Sequence, residues 1–371
     1  MNLLLFNLAT DADDPILGFT TDWINRLAPH YTHIDVITMR AGRLTVASNV
    51  RVYSVGKERG FGDARRALEF YRLLIGLLLH IRYDACFAHM MPLFALMAAP
   101  LLRVFGVPIT LWYTHRQRHR ILEWATRVSQ RVVTAAPDSF PILTPKLRVL
   151  GHGIDTDFFN PEYLNGSNEP QEQFRKAVLD AVLSPQDTTC SYVVHVARLM
   201  PIKQQSTLIR ALPSVPTAHA VFVGDVPPEQ GAAYRAQLEA LARDLGVAER
   251  VTFAGNQSAG GVRAWYARAA AAVNLSPVGL FDKAALEALA MRVPTLVTNP
   301  SFDPLLGDAA WRIKSPDDHT ALAERLTAVL ALDPAERNRL TAAIRARTVA
   351  AHSLDGLTRR LLQVLHTGEI A

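Results

Sequence analysis

Two cysteines, Cys86 and Cys190, are all that this chain of 371 residues contains. They are too few for a disulfide framework and show no metal-binding spacing, so a disulfide-stapled scaffold and a zinc module are not expected, and a reducing, cytoplasmic setting is. No run of about 18 uninterrupted apolar residues occurs, which argues against a membrane-spanning helix. The opening MNLLLFNLATDADD turns acidic and carries neither a basic flank nor a cleavage site, so it reads as a buried strand and not as a signal peptide. Glycine is missing where nucleotide motifs would need it. No G-x-G-x-x-G follows an apolar run and no G-x4-G-K-S/T appears, which removes the main support for dinucleotide and P-loop readings. Internal repeats and low-complexity tracts are absent as well.

Acidic residues are scarce in one region only. Residues 40–131 hold 15 Lys/Arg against 5 Asp/Glu, whereas residues 161–371 hold 21 of each. The basic surplus therefore belongs to the first part of the chain. Within it, residues 51–82 place cations ahead of an apolar helical face. That pattern fits an interfacial helix on an anionic membrane, at its inner, cytoplasmic face, or an ordinary amphipathic helix covering a sheet. No nucleic-acid module or aromatic stacking platform accompanies the charge, so no nucleic-acid partner is expected.

The composition is that of a globular protein, 49% hydrophobic and 20% charged, and the length suits two domains. Short apolar runs alternate with helical patterns: 2–9, 33–39, 50–55, 85–90, 108–115, 131–136 and 147–153. After a polar stretch rich in turn formers the pattern restarts at 192–197, 219–224, 250–255, 271–276, 294–299 and 310–313. Strand and helix in alternation predict parallel sheets covered on both faces. The expected architecture is α/β, two doubly wound Rossmann-like domains facing a cleft. The first spans 1–160 with a returning C-terminal helix in 353–371, the second spans 188–352, and 161–187 is the linker. Chemistry in such sheets sits beyond the carboxyl ends of strands.

Several strand ends carry candidate groups. In ARLMPIK, Arg198 ends a strand and Lys203 follows five residues later, just before a helix; two cations there suit a diphosphate, although an arbitrary pair at this spacing is often only solvated surface. The segment SPVGLFDKAALEALA raises a sharper question. Asp282 is placed to cap the helix that follows, yet Lys283 in its first turn opposes the helix dipole, a conflict that an anion on the loop amides of Gly279, Leu280 and Phe281 would resolve. Glu287 lies one turn on from Lys283, and the two equally suit a plain surface ion pair. His115 ends the apolar run of LWYTH, where it either bonds a substrate hydroxyl or is a structural histidine satisfied within the fold; His89 and His152 are similar. Gly18 is the one glycine in the loop after the first strand, and the strand ends FVGD and FAGNQ, with Asn256 and Gln257, are placed to meet a nucleotide base.

Taken in order, ARLMPIK, FVGDVPP, VTFAGN and GLFDKAALEALA resemble the successive segments of the retaining GT-B glycosyltransferases of family 4. GHGIDTDFFNP resembles that family's interdomain element. The resemblance implies a retaining, metal-independent transfer of a sugar from a nucleoside diphosphate, UDP- or GDP-linked, to an acceptor hydroxyl on a glycan or lipid-linked molecule, with no further cofactor. It implies that Arg198 and Lys203 hold the diphosphate and that Glu287 takes the ribose hydroxyls. Gly279, Leu280, Phe281, Asp282, Lys283, Ala284 and Leu286 would form the donor loop and helix start, His115 would be the catalytic histidine, and Gly18 would meet the phosphate. Two positions depart from the pattern. The first glutamate of the family's E-x7-E falls on Gly279, and the paired glycines of the first loop are reduced to Leu17 and Gly18. A sugar-nucleotide-binding protein without catalysis is the alternative these departures allow.

Overall fold

The computed structural model describes residues 1–14, 17–162, 190–227 and 233–369, so the expected linker lies, from residue 163 on, outside the described residues. The chain divides into two compact units, Met1–Gly153 with Leu354–Ala371, and Ile154–Ser353.

The first unit is built on seven parallel strands: β1 Asn2–Thr10, β2 His33–Ala41, β3 Val50–Ser54, β4 Ala85–His89, β5 Ile109–Trp112, β6 Arg131–Thr134 and β7 Leu147–Val149. Their order is β3-β2-β1-β4-β5-β6-β7. β1 is central, and Leu3, Leu4, Leu5 and Phe6 are all buried, as a strand covered on both faces requires. The helix Asp63–His80 lays Phe70, Leu74 and Leu78, one helical turn apart, into the core, where Phe70 meets Phe6 and Phe94 at ring-centroid distances of 5.5 and 4.5 Å. The helix Leu354–Thr367 completes this unit. Arg131 donates to the carbonyls of Val364 and Leu365, and Arg26 pairs with Asp355 at 2.6 Å.

Among the described residues, the second unit holds five parallel strands: β8 Ser191–Val196, β9 Ala218–Val223, β10 Val251–Gly255, β11 Ala271–Asn274 and β12 Thr295–Val297, in the order β10-β9-β8-β11-β12. Twelve of the thirteen apolar runs are therefore strands. The exception is 310–313, where Arg312 makes only an isolated bridge to Val297. Three residues of sheet at β12 offer too short a ladder for a sixth strand to extend.

Candidate functional site

β8 and β11 are neighbours, but the chain leaves them in opposite directions, β8 towards β9 and β11 towards β12. This is the switch point of a doubly wound sheet, where the loops beyond the strand ends diverge. It brings together two segments that the sequence keeps more than 70 residues apart.

The loop after β8 is closed by Gln205, fully buried, whose side-chain amide donates to the Arg198 carbonyl at 2.9 Å. The Arg198 side chain is left exposed. One 3-10 turn, Pro201–Lys203, and Gln204 in left-handed backbone at φ 56° precede the helix Gln205–Ala211. Gly224, after β9, packs onto this loop: at φ 128°, any Cβ there would meet the Ala197 carbonyl oxygen at 2.2 Å. That glycine supports the Arg198 loop, and the sequence assigned its segment to a nucleotide base instead.

Lys203 turns inward across the strand ends. Its Nζ donates to Asp282 Oδ1 at 2.8 Å, to Asp282 Oδ2 at 2.7 Å and to Ser276 Oγ at 3.0 Å. The two side chains are 13% and 24% exposed. The carboxylate also accepts from Asn274 Nδ2 at 3.0 Å and from Ser276 Oγ. Burial works to raise the Asp282 pKa, but the Lys203 charge and these bonds outweigh it, so the carboxyl is held below its ordinary value and stays ionised. The expectation that Asp282 caps the next helix is corrected here. Asp282 occupies the N-cap position of Lys283–Ala290, yet its side chain makes no capping bond. A largely buried ammonium is the stronger partner, and it draws the carboxylate away from the helix.

Near this pair lies His195, which no sequence motif marks. It is buried, neither ring nitrogen has a hydrogen-bond partner among the described residues, and burial followed by the Lys203 charge pushes its pKa down to about 3. It is a neutral imidazole. The one sequence signal was a polar residue within the apolar run YVVHVA.

The rest of the donor segment divides into loop supports and a titratable group. Gly279 sits at φ 85°, in the left-handed region. The backbone conformation itself thus favours glycine at the position where the resembling family carries glutamate. The Leu280 amide is engaged with the Pro277 carbonyl at 3.1 Å, and the Leu280 carbonyl accepts from Asn299 at 3.0 Å, so that amide is spent within the loop. Phe281 is buried against Phe302 and His352 at 4.5 and 5.2 Å, as an anchor. Ala284 accepts from the Tyr266 hydroxyl at 2.7 Å, and Leu286 is in the core. Burial raises the Glu287 pKa to about 7, against the opposing pull of Lys283.

Other sequence candidates lie elsewhere. Asn256 and Gln257 are exposed just past β10, which β9 separates from β8; Gln257 donates to the Ala254 carbonyl. In the first unit, Gly18 stands at the start of the helix Phe19–Leu27, where a Cβ would meet the carbonyl oxygens of Asp14 and Ala12 at 2.7 and 3.1 Å. His115 lies three residues beyond β5, exposed, its Nδ1 accepting from the Gln117 amide at 3.1 Å. His89 is buried at the end of β4, bonded to Asn7 and ringed by Phe19, Trp23, Phe87 and Trp112.

The helix Asp63–His80 proves to have two apolar faces. One covers the sheet. The other leaves Leu68, Tyr71, Ile75 and Leu79 exposed, with Leu68 at 72% and Leu79 at 68%. These residues fall at helical spacing, and Val104, Phe105 just past the end of its helix, and Trp124 are exposed too. Among the described residues, no helix is long and apolar enough to cross a membrane.

Residues 190–331, which contain the Lys203–Asp282 cluster, match the family described as glycosyl transferases group 1. A stretch of 176 residues, 46% of this chain, is 31% identical to the D-inositol 3-phosphate glycosyltransferase of Mycolicibacterium gilvum and covers 39% of it. A stretch of 113 residues, 29% of this chain, is 38% identical to the GDP-mannose-dependent alpha-(1-6)-phosphatidylinositol monomannoside mannosyltransferase of Mycobacterium tuberculosis and covers 25% of it. The matches thus span well under half the length of these curated relatives. Among solved structures, Anabaena HepE in complex with UDP and glucose is similar over 99% of this chain and 100% of its own, with a TM-score of 0.73 at 15% identity. This likeness shows the fold: two Rossmann-like α/β units of the GT-B type.

Proposed function

We propose that this protein is a glycosyltransferase that moves a sugar from a nucleoside diphosphate, UDP- or GDP-linked, to an acceptor hydroxyl, with retention at the anomeric carbon and without a metal. The observation that carries this reading is the placement of Arg198 and Lys203 at the switch point of the second sheet, within the residues that match the family. The anomeric C–O bond to the diphosphate breaks, its electron pair stays on phosphate oxygen, and a new bond forms from the anomeric carbon to the acceptor oxygen, which gives up its proton. Arg198 and Lys203 supply fixed positive charge to the leaving diphosphate, the kind of stabilisation that grows as charge develops. Glu287 accepts the ribose hydroxyls, and His115 belongs to the sugar side of the reaction. One relative being a GDP-mannose-dependent mannosyltransferase, and the structural neighbour being in complex with UDP and glucose, support a nucleotide sugar as donor.

The acceptor in this reading is lipid-linked or part of a cell-envelope glycan, met at an anionic membrane surface. The exposed Leu68, Ile75 and Leu79, set among Arg65, Arg72 and Arg82, suit partial insertion beside acidic headgroups. Gly279, lacking the carboxylate of the resembling family, favours a second reading, a protein that binds the nucleotide sugar without transferring it. A thermal-shift screen over UDP-, GDP-, ADP- and dTDP-sugars, followed by donor hydrolysis and transfer assays with and without EDTA, decides between them. Stabilisation with turnover that survives EDTA supports the transferase; stabilisation with neither hydrolysis nor transfer supports the binding protein; no stabilisation by any donor rejects both.

A further inference from the structure

The Lys203 ammonium has three N–H donors, and all three are already committed, two to Asp282 and one to Ser276. The assignment of Lys203 to the donor diphosphate therefore cannot be met in the arrangement the structure holds. Asp282 is also not where a residue at its position would ordinarily aim: it gives up the helix cap to reach the lysine, and it is fixed there by Asn274 and Ser276.

We propose that Asp282 is a built-in competing anion, which occupies the place of the diphosphate on Lys203 and must be displaced before a nucleoside diphosphate engages that lysine. This rests on the reading of Lys203 as the diphosphate ligand. Two anions cannot share one ammonium at close range without strong mutual repulsion. The apparent affinity for the nucleotide is therefore reduced by the fraction of molecules in which Lys203 is not held by Asp282. Asp282 thus acts as a specificity-determining residue. It sets a threshold that weakly anionic ligands do not pass, and it leaves Arg198, exposed on the loop that carries Lys203, to make the first contact with the phosphates.

The test is calorimetric titration of UDP and of GDP into wild type, D282N, K203A and the K203A/D282N double variant, each checked by thermal melting. The expected result is that D282N binds one of the two nucleotides about tenfold more tightly than wild type, and that the gain disappears when Lys203 is also removed. Equal or weaker binding by D282N, with binding lost in K203A, overturns the competing-anion proposal and leaves the lysine assignment standing. Equal binding by K203A and wild type, or no binding by any of the four proteins, overturns the lysine assignment itself and the proposal with it. Should D282N fail to fold, S276A reads the same competition by removing one bond from each partner: tighter nucleotide binding supports the proposal and unchanged binding overturns it.

Discussion

Gln205 and Arg198 are joined by a hydrogen bond from the buried side-chain amide of the first to the carbonyl of the second, 2.9 Å long, and this bond separates the arginine's two jobs. Its backbone holds the loop, while its guanidinium stands exposed and contributes little to the fold. R198A is accordingly expected to shift stability by no more than about 0.5 kcal/mol while lowering kcat/KM for transfer by about 100-fold or more. Q205A is expected to cost about 1–3 kcal/mol by leaving a carbonyl unpaired. Urea unfolding and transfer kinetics on both variants check the pair; a stability loss in R198A as large as in Q205A would contradict it.

Removing one member of the Lys203–Asp282 pair strands the other away from water. K203A is expected to lose about 3 kcal/mol of folding stability, with the double variant K203A/D282A less destabilised than the sum of the two single changes. A double-mutant cycle by denaturant unfolding gives the coupling, and strict additivity would show that the pair does not act as a unit.

Glu287 supplies a pH dependence. Its folded pKa of about 7 lies above its ordinary value of 4.5, so the native state keeps a proton that the unfolded chain has released. Its contribution to stability is full below pH 4.5, declines as pH rises to about 7 and is level above that. E287Q cannot lose a proton and is expected to melt higher than wild type at pH 8, with the gap closing towards pH 4.5. Parallel melting curves for the two proteins across this range would remove the case for a raised Glu287 pKa.

The exposed stripe on Asp63–His80 makes a separable prediction. The triple variant L68Q/I75Q/L79Q replaces side chains that face outward, so its melting temperature is expected to stay within a few degrees of wild type. Its flotation with liposomes containing anionic lipid is expected to fall to the level seen with neutral vesicles. Undiminished flotation would place the membrane contact elsewhere or nowhere.

Much of the fold was legible because burial on both faces leaves a mark that local sequence carries. Segments such as NLLLFNLAT and YVVHVA are apolar runs broken by only a few polar residues, and the helices between them show their covered faces at helical spacing. The run at 310–313 misled because Ala-Trp-Arg-Ile, three apolar residues around one arginine, has the composition of a strand whether or not a neighbour is long enough to pair with it. Asp282 misled for a different reason. A helix cap is a local rule, and the rule was overridden by an ammonium 79 residues away.

The sequence by itself determined which residue types stand at the ends of which strands, because alternation of apolar runs and helices is a property of neighbours along the chain. It also determined, through the ordered segments from Arg198 to Glu287, what kind of ligand to look for. What the tertiary structure alone decided is the charge state and partnership of those residues. The β8–β11 adjacency brings Lys203 against Asp282 beside a neutral His195, and the packing around Glu287 raises its pKa to about 7. Burial and long-range pairing set these electrostatics, and neither is a property of residues adjacent in sequence.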